Sequence, residues 1–187
     1  MIGYRSVGGI VLVLALAGCG GSSGGSSAAS PGPASADRVP VLEVAGPEPS
    51  ASARMICAAE GKREIAATVG VDTTRPLVSR WRDHVYSCHY VYGHGTMALS
   101  VKELSSAAET SAYFNGLGVK LGRMRALDGL GQGAYQTRNG ATIVRKDDLV
   151  LLVDVSRLPA EFGTPSSPRA DVSLSVAATI MGCWTGS

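Results

Sequence analysis

Residues 20 to 36 consist almost entirely of Gly, Ser, Ala and Pro, and this composition limits where the chain can fold. Such a segment buries too little apolar surface to offset the entropy lost on ordering, so we expect a flexible tether. The stretch from Asp37 to Ser52 adds prolines and is expected to continue the linker. A short docked strand at the apolar cluster 39–42 is the alternative there. Folding is therefore expected within residues 53–187, the length of one ordinary domain.

The segment before this tether has the pattern of a secretory signal. Arg5 precedes an apolar run from Val7 to Ala17, which is shorter than the roughly 20 residues of a membrane-spanning helix. The run ends in Leu16-Ala17-Gly18-Cys19, which resembles the lipobox read by lipoprotein-processing enzymes. The resemblance implies that residues 1–18 are removed and that the Cys19 thiol carries a diacylglycerol anchor. The domain would then lie on the extracytoplasmic face of the cell membrane, linked to the lipid by residues 19–52. The alternative is an ordinary secretory signal that contains a cysteine by chance.

The charges of the chain are nearly balanced, with 17 basic and 15 acidic residues and a formal net charge of +2. A nucleic-acid-binding domain needs a basic surface that follows the phosphate backbone. The sequence has neither a basic run nor an acidic tail. Nucleic acid is therefore not expected as a partner.

Local patterns within residues 53–187 predict alternating helices and strands. Met97, Leu99 and Val101 alternate with small or polar residues, as in a half-buried strand. Ser106 followed by Glu109 fits a capping box that begins a helix. Such signals predict helices over Met55–Val69, Ser106–Leu121 and about 169–183, and strands over His84–Tyr92, Thr96–Glu103, Ala134–Thr137, Ala141–Lys146 and Leu149–Val155.

The connections between these elements predict the fold class. Asn139-Gly140 is a strong hairpin signal, and successive strands joined by hairpins are antiparallel. The expected fold is α+β, a largely antiparallel sheet of about five strands with two to three packed helices. The expected order is α-β-β-α-β-β-β-α. Residues Leu158–Pro168 are predicted to form a loop before the last helix.

Two cysteines and a glycine-rich loop carry a family resemblance. Cys57 lies near the start of the first predicted helix and Cys88 in the first predicted strand. The loop Gly129–Tyr135 reads Gly-Leu-Gly-Gln-Gly-Ala-Tyr. Together these marks resemble a group of actinobacterial lipoproteins of unknown function, related to the DUF3558 family, whose loop has a GLGDAAY-like pattern. The resemblance covers about residues 54–183 and implies a fold and a location but no chemistry.

The sequence also departs from that family pattern. Gln132 and Gly133 replace Asp-Ala in the loop, and Tyr90 lies where members often have Trp. Cys183 is extra to the pattern, which leaves the cysteine pairing open. The order of helices and hairpins further resembles the Mog1/PsbP-like fold, which is used for binding rather than catalysis.

Three cysteines remain once Cys19 is assigned to the lipid. An exported domain meets an oxidising environment, so a disulfide is expected. We favour a bond between Cys57 and Cys88, which would staple the first helix to the first strand and stabilise the domain by roughly 3–4 kcal/mol. A bond from Cys183 to either partner stays open, as does a free, buried Cys183 thiol.

The histidines around Cys88 do not predict a metal site. On a strand, His84 and Cys88 lie about 13 Å apart, and His89 points to the face opposite Cys88. Four ligands near 2 Å from one zinc ion cannot come from this stretch alone. His94 lies in a Gly-flanked turn, where solvent exposure is expected. We therefore expect neither a metal ion nor a cofactor.

The remaining sequence offers little for catalysis. The loop 129–133 precedes a strand, whereas a phosphate-binding loop follows a strand and opens a helix, so a tight turn is expected there. Arg80, Trp81 and Arg82 form the most suggestive binding candidate, because Trp and Arg are common at binding hot spots. The alternative for this triplet is one core aromatic between two solvated charges. No Gly-x-Ser-x-Gly elbow is present.

These observations favour a noncatalytic binding or interaction module of the cell envelope. Its partner would be an envelope protein, a lipid or a cell-wall fragment. The alternative is an envelope-acting enzyme, or an enzyme accessory, whose active site is assembled from distant residues. A cleft that gathers His, Asp or Ser side chains would favour the enzyme, and an apolar cavity or groove would favour binding.

Overall fold

A computed structural model describes residues 45–185 of the chain. The predicted signal peptide, Cys19 and the predicted tether up to Val44, including the cluster 39–42, lie outside the described residues. The described part contains, in chain order, helices and strands with the following bounds: α1 Ala51–Met55, α2 Ala59–Val69, β1 Val78–Arg82, β2 Val85–Tyr92, β3 Gly95–Glu103, α3 Ala107–Leu121, β4 Arg123–Leu127, β5 Gly133–Thr137, β6 Thr142–Lys146, β7 Leu149–Arg157, β8 Glu161–Phe162, β9 Ser167–Pro168 and α4 Arg169–Thr185.

Seven of these strands form one sheet in the order β1-β2-β3-β7-β6-β5-β4, and every pairing in it is antiparallel. The predicted α+β fold with a largely antiparallel sheet is therefore confirmed. The sheet has more strands than the five expected. Strands β8 and β9 form a separate hairpin within the segment predicted to be a loop.

The two additional strands of the sheet, β1 and β4, are its edges. Four of the five residues in each are exposed. An edge strand with so little burial needs no alternation of apolar and polar residues, so its sequence carries no strand period. This exposure explains why the sequence predicted only the inner strands.

Apolar cores lie on both faces of the sheet, because successive strand residues point to opposite sides. Val150 of β7 packs with Phe114 of α3 and Tyr135 of β5 on one face. Its neighbour Leu151 packs with Val176 of α4 on the other face. Helix α2 contacts α4, and α1 contacts β3. Within the described residues the sheet is thus covered by α3 on one side and by α1, α2 and α4 on the other.

The first predicted helix is two helices, interrupted at residues 56–58. Gly61 lies so close to the end of α1 that a Cβ there would collide with the Met55 carbonyl oxygen. The break turns the chain toward β2, where Cys57 forms a disulfide with Cys88 at a Cα–Cα distance of 5.5 Å.

The chain contacts the sheet several residues before the predicted domain start at residue 53. The Trp81 indole N–H donates to the Pro47 carbonyl at 2.8 Å. Ser50 caps α1 by accepting from the Ala53 N–H, and its own N–H donates to Glu103 at 2.8 Å. Backbone groups of this segment bond to side chains of the domain, and such bonds do not depend on the segment's own side chains, which is why its Pro- and Ser-rich composition indicated a linker.

Candidate functional site

An open cleft of about 550 Å³ lies between the β4–β5 loop, the β6–β7 turn and the C-terminal half of α4. Its volume falls in the range of small-molecule sites in proteins. The residues that line it are Gly129, Leu130, Gly131, Gln132, Lys146, Asp147, Ala178, Met181 and Gly182.

The β4–β5 loop is the glycine-rich segment recognised in the sequence, and its backbone lies directly against β6. Gly131 has a φ of +59°, and a Cβ there would lie 2.5 Å from the Arg145 carbonyl oxygen. The Gln132 N–H donates to the same carbonyl at 2.8 Å. Only glycine fits such a positive φ at this close approach without strain. The expected tight turn with close backbone approach is therefore what the structure shows.

Two side chains join this loop to the β6–β7 turn. The Gln132 amide donates to Asp147 Oδ1 at 3.1 Å, and its Oε1 accepts from the Asp147 backbone N–H at 3.0 Å. Asp147 has a φ of +53°, as a tight two-residue turn requires. The reciprocal hydrogen bonds make the loop and the turn one wall of the cleft.

Helix α4 forms the opposite wall. Ala178 and Gly182 are four residues apart and therefore lie on one face of the helix, where a methyl group and a glycine without a side chain leave open space. A Cβ added at Gly182 would meet nothing within 4 Å. Met181 is buried beside them, and Leu130 packs against the core from the loop. The cleft consequently has an apolar floor.

Lys146 supplies the positive charge of the cleft. Its ammonium donates to the Trp184 carbonyl oxygen at 3.1 Å, near the C-terminus of α4, where a cation is favoured by the helix dipole. An ammonium has three N–H donors, so this bond leaves capacity for an acceptor on a ligand. The carboxylate of Asp147 also lines the cleft and accepts from the Gln132 amide. The cleft therefore suits a small amphipathic molecule with an apolar part and a polar group that accepts from Lys146.

The triplet Arg80-Trp81-Arg82 lies in edge strand β1. The indole of Trp81 is half-buried, bonds Pro47 and meets the His84 ring edge-on at 5.8 Å. Strand alternation places Arg80 and Arg82 on the other face, and Arg82 Nε pairs with Asp83 at 3.2 Å. The structure thus separates the indole from the two cations and gives Trp81 a role in holding the N-terminal segment. A binding role for the triplet stays a prediction.

The cysteine pairing predicted as most favoured is confirmed. Cys57 and Cys88 form the disulfide, and Cys183 is a free, buried thiol in α4. The alternative of a bond from Cys183 to either partner does not occur. Cys183 therefore acts as a small apolar residue in the packing of the last helix.

The histidines and tyrosines do not form a reactive centre in the part of the chain that the structure describes. Within residues 45–185 no three His, Cys, Asp or Glu side chains lie together in a way that could hold a metal ion. Burial raises the pKa of Tyr90 and of Tyr92 far above the ordinary value for tyrosine, so both phenols stay protonated. The Tyr90 hydroxyl donates to the Ile56 carbonyl at 2.6 Å, which is a structural role.

Sequence reasoning found one wall of the cleft and missed the other. The Gly-rich loop was visible, but Lys146 and Met181 were not singled out. The signal that was available is the pair of small residues Ala178 and Gly182, spaced by one helical turn in the last predicted helix. Which surface those residues face depends on the register of α4 against the sheet, which the sequence does not reveal.

No helix within residues 45–185 combines the length and the apolar composition that crossing a bilayer requires.

No family model matches the chain, and neither a curated protein nor a solved structure matches it.

Proposed function

We propose that this protein is a noncatalytic binding module of the cell envelope, which takes a small amphipathic ligand in the cleft between the Gly-rich loop and α4. The observation that carries the proposal is the cleft itself, with an apolar floor at Leu130 and Met181 and a cation at Lys146. Among its lining residues there is no nucleophile paired with a base, whereas apolar surface with a few placed polar groups is typical of ligand pockets.

The proposal includes a lipid anchor on Cys19 and a location on the extracytoplasmic face of the cell membrane. The motif Leu16-Ala17-Gly18-Cys19 after a short apolar run supports it. The Cys57–Cys88 disulfide supports export, since such bonds persist in oxidising compartments. Kinship with the actinobacterial lipoproteins is part of the same proposal and rests on the two cysteines and the loop.

The cleft is tested by native mass spectrometry of the protein purified from the envelope of its own organism. Gly182→Trp adds a side chain to the cleft wall, where a Cβ meets no neighbour. Gly116→Trp is the matched control, because Gly116 is also a helical glycine with open space around its Cβ but lies on α3, across the sheet. We expect a noncovalent adduct on the wild-type protein that Gly182→Trp loses and Gly116→Trp keeps.

Two results would count against this binding function. The wild-type protein could carry no adduct, or the adduct could persist unchanged in Gly182→Trp. A bound compound that the protein converts to a second mass during incubation would favour the alternative of an envelope-acting enzyme.

The anchor is tested by Cys19→Ala in the full chain. We expect the protein to leave the membrane fraction after a wash at high salt, which removes electrostatic attachment. Retention equal to that of the wild-type chain after this wash would contradict the anchor proposal.

A further inference from the structure

Two exposed apolar side chains flank the turn between α3 and β4. Val119 is 87% exposed near the end of α3, and Met124 is 62% exposed near the start of β4. Among the described residues, the other large apolar side chain with such exposure is Val78, at 65%. An exposed apolar pair at one turn indicates an interaction surface more than a scattered single residue does.

Four exposed cations surround the same turn: Lys120, Arg123, Arg125 and Arg138. The Arg138 N–H donates to the Gly122 carbonyl at 3.1 Å, which fixes Arg138 at the turn. The six residues Val119, Lys120, Arg123, Met124, Arg125 and Arg138 are called the basic corner below.

The geometry of Arg123 shows that the corner is ordered. Its guanidinium lies over the Tyr135 ring at 4.1 Å from the centroid and bonds Asn115 Oδ1 at 3.1 Å. A Cβ on Gly118 would lie 2.9 Å from Arg123 Nε, so glycine is what lets the arginine lie along α3. The cation is thus held at the surface by stacking and hydrogen bonding to neutral groups.

No carboxylate within residues 45–185 forms an ion pair with a cation of the corner. The ion pair present among residues 45–185 is Arg82–Asp83, on the other edge of the sheet. Along the elements of the corner, the nearest acidic residues are Glu109 at the start of α3 and Asp128 after β4. Arg125 donates to the Gln136 side-chain oxygen at 2.6 Å, which is also a neutral partner. The corner therefore presents four exposed cations, none of them in an ion pair, around two apolar side chains.

We propose that the basic corner docks the domain directly onto an anionic lipid surface, with Val119 and Met124 entering the headgroup layer and the four cations facing the lipid phosphates. Apolar side chains ringed by Lys and Arg are the pattern of interfacial membrane binding. A deformable headgroup layer takes up protruding side chains without a matching pocket. This inference does not depend on the ligand cleft or on the predicted lipid anchor at Cys19.

The position of the corner is compatible with the predicted anchor. The N-terminal segment joins the domain at β1, through the bond from Trp81 to Pro47, and β4 is the opposite edge of the sheet. Six interstrand spacings place the two edges about 29 Å apart. As a Gly/Ser-rich coil, the predicted tether of about 25 residues between Cys19 and the domain would have a root-mean-square span of about 25–30 Å. The predicted tether is therefore long enough to let β4 face the membrane.

The other edge of the sheet provides a matched control. Strand β1 carries the exposed Val78 together with Arg80 and Arg82, so this edge resembles the basic corner in composition. One of its cations is paired with Asp83, and it has one exposed large apolar side chain where the corner has two. Removing Val78 and Arg80 takes away one exposed apolar side chain and one cation, as many side chains as each corner variant changes, without touching the basic corner.

The test measures flotation of the unlipidated mature chain, Cys19→Ser to Ser187, with vesicles of about 30% phosphatidylglycerol in phosphatidylcholine and with pure phosphatidylcholine. We expect binding to the anionic vesicles that weakens as salt is raised. Lys120→Gln with Arg138→Gln should lower the partition coefficient about 25-fold, at about fivefold per cation. Val119→Ser with Met124→Ser should lower it about tenfold.

Val78→Ser with Arg80→Gln should leave the partition coefficient within about twofold of the wild-type value, because these residues lie outside the proposed contact. Thermal unfolding of each variant, compared with the wild-type chain, establishes that it is folded. No binding to the anionic vesicles would overturn the proposal, and so would unchanged binding of the folded Lys120→Gln, Arg138→Gln protein. If the Val78, Arg80 control lost as much binding as the corner variants, the membrane contact would not be specific to the basic corner, and the proposal would be wrong.

Discussion

Tyr90 and Tyr92 lie on the same face of one strand but contribute differently to the stability of the fold. Both are buried in β2 and point toward the same core. The Tyr90 hydroxyl donates to the Ile56 carbonyl and so ties β2 to the junction of α1 and α2. The Tyr92 hydroxyl is buried without a hydrogen-bond partner, while its ring packs against Phe162 at 4.8 Å. The first hydroxyl stabilises the fold, and the second carries a desolvation cost.

The two tyrosines therefore predict opposite responses to removal of the hydroxyl. Tyr90→Phe leaves the Ile56 carbonyl without its donor and should lower the free energy of unfolding by about 1–3 kcal/mol. Tyr92→Phe removes an unpaired buried polar group and should leave that free energy unchanged or slightly raised. Urea denaturation of both variants measures the difference. Equal losses in the two would show that the hydrogen bond to Ile56 contributes nothing.

The same residues predict a loss of stability at alkaline pH. Burial raises the pKa of Tyr90 and of Tyr92 above the ordinary value of about 10, so the folded protein holds protons that the unfolded chain releases. Their contribution is present in full below about pH 10 and is lost as the pH rises above it. The free energy of unfolding should fall from about pH 10 upward, and it should fall less steeply in the double variant Tyr90→Phe, Tyr92→Phe. An equal slope in that variant would assign the loss to other groups.

At the scale of elements, the short helix α1 depends on contacts that are distant in sequence. Helix α1 is five residues long, too short to be stable alone. Its junction with α2 is held to β2 by the Cys57–Cys88 disulfide and by the Tyr90 hydrogen bond. The N-cap half of the capping box predicted for α3 is present, since Ser106 accepts from the Glu109 N–H at 3.2 Å. The carboxylate of Glu109 accepts from the Ser105 N–H, one residue before the cap.

The disulfide is expected to be a major support of the α1–α2 junction. Cys57→Ala with Cys88→Ala opens a loop with a sequence separation of 31, which should lower the free energy of unfolding by about 3–4 kcal/mol. Cys183→Ala is the control, because it removes a buried thiol that forms no disulfide, and it should cost about 1 kcal/mol. Chemical denaturation under non-reducing conditions measures both. A loss in the control as large as in the double variant would contradict a special role for the cross-link.

At the scale of the whole domain, the ligand cleft and the basic corner lie at opposite ends of β4 and β5. The cleft includes the loop that follows β4, whereas the corner includes the turn that precedes it. A strand of five residues spans about 16 Å, so the two surfaces are well separated. A domain docked by its basic corner would leave the cleft on the side away from the lipid.

This separation predicts that the two surfaces act independently, because substitutions more than about 10 Å apart with no shared partner contribute additively. Gly182→Trp should leave vesicle flotation unchanged, and Lys120→Gln with Arg138→Gln should leave the native-mass adduct unchanged. Both readouts are measured on the same purified proteins. A change in flotation caused by Gly182→Trp would show that cleft and corner are coupled.

The sequence alone determined the inner strands, the capped start of α3, the antiparallel pairing and the most favoured cysteine pair. These features leave local signals, namely alternation, caps, turn residues and an expected export route. Tertiary structure alone decided the edge strands, the break at Cys57, the packing of residues 47–52 and the face that α4 turns toward the Gly-rich loop. Exposed edges carry no periodicity, and backbone hydrogen bonds place no demand on side-chain type. A cleft is the space left between elements, and the register that sets it comes only from packing.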